Sequence, residues 1–335
     1  MNNLRKKGGK AVDGRAKSAV FSRKMTTRRK FLHRAAATAV LTTPGAPLIA
    51  AETPKRRIID CHTHFYDPAR PAGVPWPGKG TPLYRTVLPD DWMTVAGPHG
   101  VTETVVVEAS PLVEDNQWLL DLAAKDKRLL GIVGNLDPAA PDFAANVKRF
   151  AANPLYRGIR VSATKAAEGG DTYATGLKTL AAAGLVLDIN GGPVTPGIAA
   201  KLAEQHPDLT VIINHCGNPG DAQKPLSDDW KAGMKAAGAR PNVFCKVSAL
   251  VEGVKSESGQ APADPGYYRP IFDPIWEAFG PDRLVYGSNW PVSDRGAPYG
   301  TVIAIVKALF EEKGAEATEK YFWKNSQKAY RWRER

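Results

Sequence analysis

Cysteine, unbroken apolar stretches and, over most of the chain, net charge are all in short supply. Cys61, Cys216 and Cys245 are the only three cysteines in 335 residues. They show no CxxC spacing, and an odd number cannot pair fully within one chain. They are expected to pack as small apolar residues beside strand ends rather than to act as reactive thiols. No GxGxxG and no Walker lysine occurs, which argues against a dinucleotide or P-loop site. The absence of a GxSxG elbow disfavours acyl-serine chemistry. The formal charge of +11 is confined to one end: residues 1–51 hold twelve lysines and arginines against Asp13 alone, and the remainder balances at 33 basic and 33 acidic residues. A nucleic-acid surface needs a cationic face on the folded domain, and the balanced remainder offers no excess charge to build one.

Within the basic end, "TTRRKFLHRAAATAVLTTPGAPLIAAE" sets Arg28 and Arg29 before Phe31 and Leu32, followed by 17 uncharged residues, Ala35 to Ala51. This resembles a twin-arginine export signal and implies the twin-arginine machinery as a partner and a bacterial periplasmic destination. Pro44, Gly45 and Pro47 interrupt the uncharged run, so a stable membrane span is not expected. Met25 would begin a leader of ordinary length. The expected division is a leader over 1–51, removed or disordered, and a folded unit over 52–335.

That folded unit has 43% hydrophobic residues in the whole chain to draw on, enough for a large core. Beyond residue 52 one pattern recurs: a short aliphatic run, a polar residue at its end, a turn, then a longer amphipathic segment. The runs begin near 56 (RRIIDCH), 104 (TVVVEAS), 129 (LLGIVGNLD), 157 (RGIRVS), 185 (LVLDIN), 209 (LTVIINH), 242 (NVFCKVS) and 283 (RLVYGSN). Continuous apolar runs indicate strands covered on both faces, as in parallel sheets. Helical segments such as "NQWLLDLAAKDKR" and "PGIAAKLAEQH" lie between them. Eight such units predict an α/β fold of the (β/α)8 TIM-barrel type. Two long Pro- and Gly-rich loops, 66–90 and about 249–270, follow the first and seventh strands and are candidate lids.

In such a barrel the carboxyl ends of the strands face one pocket. The polar residues there are His62, His64, Glu108, Arg160, Asp188, Asn190, His215, Lys246, Ser248 and Asn289. Residues two apart on a strand share a face, so the HxH of "IIDCHTHF" is expected to aim both imidazoles inward while Cys61 and Thr63 point away. Two neutral imidazoles on one side can share a metal or a substrate oxygen.

The stretches "IIDCHTHFYDP", "RGIRVS", "VIINHCGNP", "NVFCKVSAL", "FGPDRLVYGSNWPVSD" and "FWKNSQKAYRW" together resemble the amidohydrolase-related family of (β/α)8 hydrolases, most of all its lactonase branch. The resemblance spans nearly all of 56–332. It implies hydrolysis of a small lactone, of a sugar acid or a dicarboxylate, by direct attack of water, with His62 and His64 at strand one and His215 at strand six. Two positions depart from the pattern. The eighth strand usually ends in "GSDWP", whereas Asn289 stands here, and strand five carries Asp188 where metal-using relatives tend to have histidine. An amide is neither a base near neutral pH nor a strong metal ligand.

The catalytic set expected on this basis is His215, Asn289 and, as replacement base, Asp294, with Glu108 and Asp188 as other carboxylate candidates for that role. Glu108, Arg160, Asp188, Lys246 and Trp290 are expected at the substrate. Alternatively, Asp188 and Glu108 form buried ion pairs with Arg160 and Lys246, and Asp294 caps a helix. Trp76 in the first long loop is a further candidate to flank the substrate. The pocket is expected to hold either no cofactor or one divalent metal, zinc first, on His62, His64 and a carboxylate. Rival expectations are a metal-dependent amidase or decarboxylase of the same family and a noncatalytic carbohydrate-binding barrel.

Overall fold

The computed structural model describes residues 57–254 and 259–335; the proposed leader lies outside the described residues. Eight parallel strands form one sheet in sequence order: β1 Ile59–Thr63, β2 Glu103–Val107, β3 Leu129–Gly134, β4 Tyr156–Ser162, β5 Val186–Asn190, β6 Val211–Ile213, β7 Val243–Val247 and β8 Leu284–Tyr286. These are the eight apolar runs. Between and after them come α1 Pro89–Ala96, α2 Asp115–Lys125, α3 Phe143–Ala151, α4 Ala163–Glu168, α5 Asp171–Ala182, α6 Thr195–Gln205, α7 Asp228–Gly238, α8 Arg269–Phe279, α9 Tyr299–Glu311, α10 Ala315–Glu319 and α11 Asn325–Tyr330. None of the helices among the described residues is long and apolar enough to cross a membrane.

The ring closes just beyond β8. Asn289 N–H donates to His62 O (2.8 Å) and His64 N–H to Trp290 O (3.0 Å), so the closing ladder runs through the residues that follow β8. Asp60 reinforces this seam: its buried carboxylate accepts from Ser288 N–H (2.8 Å), His62 N–H (3.2 Å) and Tyr299 O–H (2.9 Å). Gly287 permits the approach, because a Cβ there would lie 2.7 Å from His62 Cβ. Any side chain at Gly287 would push β8 away from β1.

Two apolar layers follow from strand alternation. Ile59, Val105, Leu130, Val186, Ile212, Phe244 and Val285 meet inside the barrel, where Tyr330 and Trp332 from the carboxyl-terminal segment join them. The opposite faces pack on the helices around Trp92, Trp230 and Phe272. Ser227 caps α7 by accepting from Trp230 N–H at 3.2 Å, which also presents Trp230 to the core. One expectation from alternation needs correction. Cys61 does not point away but sits with the interior residues, while His62 also reaches inward. The β1–β2 register shifts between Asp60 and Thr63, and that irregularity breaks the simple two-residue rule. All three cysteines are buried and unpaired. Burial raises the Cys61 and Cys216 thiols to about 12 and Cys245 well above its ordinary value, which removes them as nucleophiles.

Candidate active site

The carboxyl ends of the strands enclose a cavity of about 600 Å³. Each of the eight strand ends, or the loop after it, contributes a polar wall residue: His64, Glu108, Asn135, Arg160, Asn190, His215, Glu252 and Asn289. Trp76 from the loop after β1 and Tyr173 from α5 add aromatic walls. Backbone strain collects at the same mouth. His215, Cys216, Asn218, Ala249 and Asn289 all have φ between 47° and 60°, a conformation costly for side chains other than Asn, Asp and Gly.

Three wall residues form a chain. His64 Nδ1 lies 2.9 Å from Val107 O, and because a carbonyl only accepts, Nδ1 carries the proton. His64 Nε2 lies 3.1 Å from Asn289 Oδ1, and Asn289 Nδ2 lies 2.9 Å from both carboxylate oxygens of Glu252. Burial raises the Glu252 carboxyl to about 7, against the hydrogen bond from Asn289 and the positive charge of Arg295. Burial likewise lowers His64 to about 3, so its imidazole is neutral at ordinary pH. His215 is also neutral, pushed well below its usual value by burial and by Lys246 and Arg160. Its Nδ1 pairs with Ser248 Oγ at 2.9 Å.

The cations on the wall are already matched. Arg160 Nε donates to Glu108 Oε1 (2.9 Å) and Nη2 to Glu108 O (2.8 Å); no hydrogen bond of Nη1 is found among the described residues. Lys165 pairs with Asp137 at 3.0 Å. Glu108 therefore orients Arg160 while lining the cavity.

Four of the expected substrate or base residues stand elsewhere. Lys246 and Asp188 are wholly buried and paired with each other at 2.6 Å, and Tyr330 O–H donates to Asp188 at 3.0 Å. They lie in the barrel interior, not on the cavity wall, because each is one alternate position above an interior apolar residue, Phe244 and Val186. Trp290 is also buried, 2% exposed, and takes part in barrel closure. Asp294 is exposed on the turn Val292–Arg295 and does not line the cavity. The short helical turn that begins at Val292, after Pro291, sets the Asp294 side chain beside Trp290 rather than on the cavity wall. Glu252 is the carboxylate that lies beside Asn289. Its only sequence signal is being the sole acid in "SALVEGV", six residues past Lys246.

A family model described as amidohydrolase matches residues 59–332. The chain belongs to the amidohydrolase family. It is 31% identical over 247 residues to the L-fucono-1,5-lactonase of Burkholderia ambifaria, covering 72% of this chain and 83% of that protein. It is 29% identical over 276 residues to the L-fucono-1,5-lactonase of Burkholderia multivorans, covering 79% and 92%. In structure it is similar to an amidohydrolase from Burkholderia multivorans crystallised with bound zinc, with a TM-score of 0.75, 27% identity, and coverage of 82% of this chain and 99% of that one.

The donor set here fits a metal ion poorly. His62 lies beneath the cavity floor, its ring 4.9 Å from that of His64 and 4.3 Å from that of His215. Lys246 Nζ stands 3.1 Å from His62 Nδ1. An ammonium donating to Nδ1 leaves the His62 proton on Nε2, the atom a metal would need unprotonated. Burial, with Lys246 second, keeps His62 from taking up a further proton. Asn289 replaces the acid at the end of β8, and no group of three or more His, Cys, Asp or Glu suited to a metal occurs among the described residues.

Proposed function

We propose that this barrel hydrolyses the ester bond of a small, uncharged, hydroxylated lactone, such as a sugar-acid lactone, by direct attack of water. The observation that carries this is the charge pairing of the cavity: Arg160 with Glu108 and Lys165 with Asp137. Among the described residues the two wall cations, Arg160 and Lys165, are each matched by a carboxylate, so a dicarboxylate substrate meets no surplus positive charge from them. The wall amides Asn135, Asn190 and Asn218 suit sugar hydroxyls. The lactonase names of the Burkholderia relatives support the same substrate class.

In the proposed reaction the lactone ring lies against Trp76 with its carbonyl toward His215 and Arg160. Ser248 O–H donating to His215 Nδ1 places the imidazole proton on Nε2, where it stabilises the developing oxyanion with the Arg160 Nη1 donors. Such donors contribute most when they are rigid and shielded from water, and the Glu108 pairing holds the guanidinium in place.

A panel of aldonolactones and a pyrone-dicarboxylate lactone tests the proposal, run before and after dialysis against a chelator with metal content measured. Turnover of the neutral lactones with little loss on chelation is expected. Thermal stabilisation by these lactones without hydrolysis would overturn it in favour of a binding protein. Loss of turnover restored by zinc would overturn the metal-free chemistry.

We also propose that residues 1–51 direct export to the periplasm by the twin-arginine route. Amino-terminal sequencing of protein from the periplasmic fraction checks it; the mature chain is expected to begin near Glu52.

A further inference from the structure

We infer that Glu252, brought in by the loop after β7, is the catalytic base that this barrel uses in place of an acid at the end of β8. The inference rests on the lactone-opening reaction proposed above. Among the described residues three carboxylates line the cavity: Glu108, Asp137 and Glu252. The first two are held in ion pairs with Arg160 and Lys165, while Glu252 forms no salt bridge among the described residues and is bound only by the neutral Asn289 amide. An acid clamped by a cation is poorly suited to take up a proton; one held by an amide remains available.

Position adds a second reason. A smaller cavity of about 260 Å³ adjoins the first, and His215, Asn218 and Glu252 line both. Glu252 thus stands at a shared wall, where water can reach it from the smaller chamber while substrate fills the larger. The groups around it are Asn289 at the end of β8, Arg295 on the following turn, neutral His215 and His64, and the Glu108–Arg160 pair across the cavity. Burial outweighs the charge of Arg295 and keeps the carboxyl near 7, where a general base is most effective.

The step balances as follows. The Glu252 carboxylate takes one proton from water as the water oxygen bonds to the lactone carbonyl carbon, whose π electrons move to oxygen. The tetrahedral intermediate collapses by breaking the ring C–O bond, and the departing oxygen receives the proton from Glu252. The product is a hydroxy acid that loses its carboxyl proton to solvent, leaving Glu252 ionised for the next cycle.

The test compares Glu252→Gln, Asn289→Asp and the double variant on the best lactone from the panel, with full pH–rate profiles. Glu252→Gln is expected to lower kcat at least about 100-fold and to abolish the rise in kcat/KM through about pH 7, with unchanged circular dichroism. Adding Asn289→Asp to that variant returns a carboxylate to the end of β8 and is expected to recover about tenfold or more. Activity of Glu252→Gln within threefold of the parent, or a surviving rise near pH 7, would overturn the inference while leaving the lactonase proposal in place. A parent protein inactive on every lactone would overturn both.

Discussion

Asn289 reaches Glu252 through one nitrogen, with Nδ2 at 2.9 Å from each carboxylate oxygen, while its Oδ1 faces His64 Nε2 at 3.1 Å. His64 has its proton on Nδ1, so Nε2 of the neutral ring is an acceptor facing another acceptor. Two arrangements remove the conflict: a second proton on His64, or a reversed amide that donates to His64 and accepts from a protonated Glu252. The His64 value of about 3 excludes the first near neutral pH, and the Glu252 value of about 7 favours the second. The reversed amide suits the protonated acid, whereas the ionised acid needs the Nδ2 donor and leaves Oδ1 against the His64 lone pair, a contact that adds to burial in holding the Glu252 carboxyl above its ordinary range.

This arrangement has a stability consequence. The carboxyl titrates near 7 when folded and near its usual 4.5 when unfolded. The folded state retains a proton between those values that the unfolded chain has released, so this group's contribution is fully present below pH 4.5 and is lost as pH rises through 7. Glu252→Gln, which mimics the protonated acid, is expected to gain stability relative to the parent between pH 5 and pH 8, on the order of 3 kcal/mol. Urea unfolding of both proteins at the two pH values measures it.

His215→Asn is expected to reduce kcat by about 100-fold or more by removing an oxyanion donor. The fold is expected to survive, because the position has φ of 55° and asparagine tolerates left-handed backbone better than most residues. Circular dichroism and steady-state kinetics separate the two effects.

Lys246→Met is expected to cost about 3–5 kcal/mol, because it leaves Asp188 buried without its cation. The added change Asp188→Asn is expected to recover part of that loss, since an amide can accept from Tyr330 without carrying charge. Urea midpoints of the single and double variants provide the comparison.

Much of the architecture was legible in the chain. Eight continuous apolar runs ending in polar residues predicted eight buried parallel strands, and those are the strands observed. The residues at their ends were harder to assign. Lys246 and Asp188 stand one alternate position above interior apolar residues, which placed them beneath the cavity rather than on its wall. Asp294 and Glu252 are both loop acids near a strand end, and no periodicity distinguishes them. The turn Val292–Arg295 sets one beside Trp290, off the cavity wall, and the path of the loop after β7 brings the other to Asn289.

The sequence by itself determined the barrel and the face on which its chemistry gathers, because hydrophobic burial reads a local repeat and strand direction orders the ends. Only the tertiary structure decided which acid meets which cation and which carboxylate stays free. Those partners come from segments far apart in the chain, and their pairing depends on loop paths and barrel closure that no local spacing encodes.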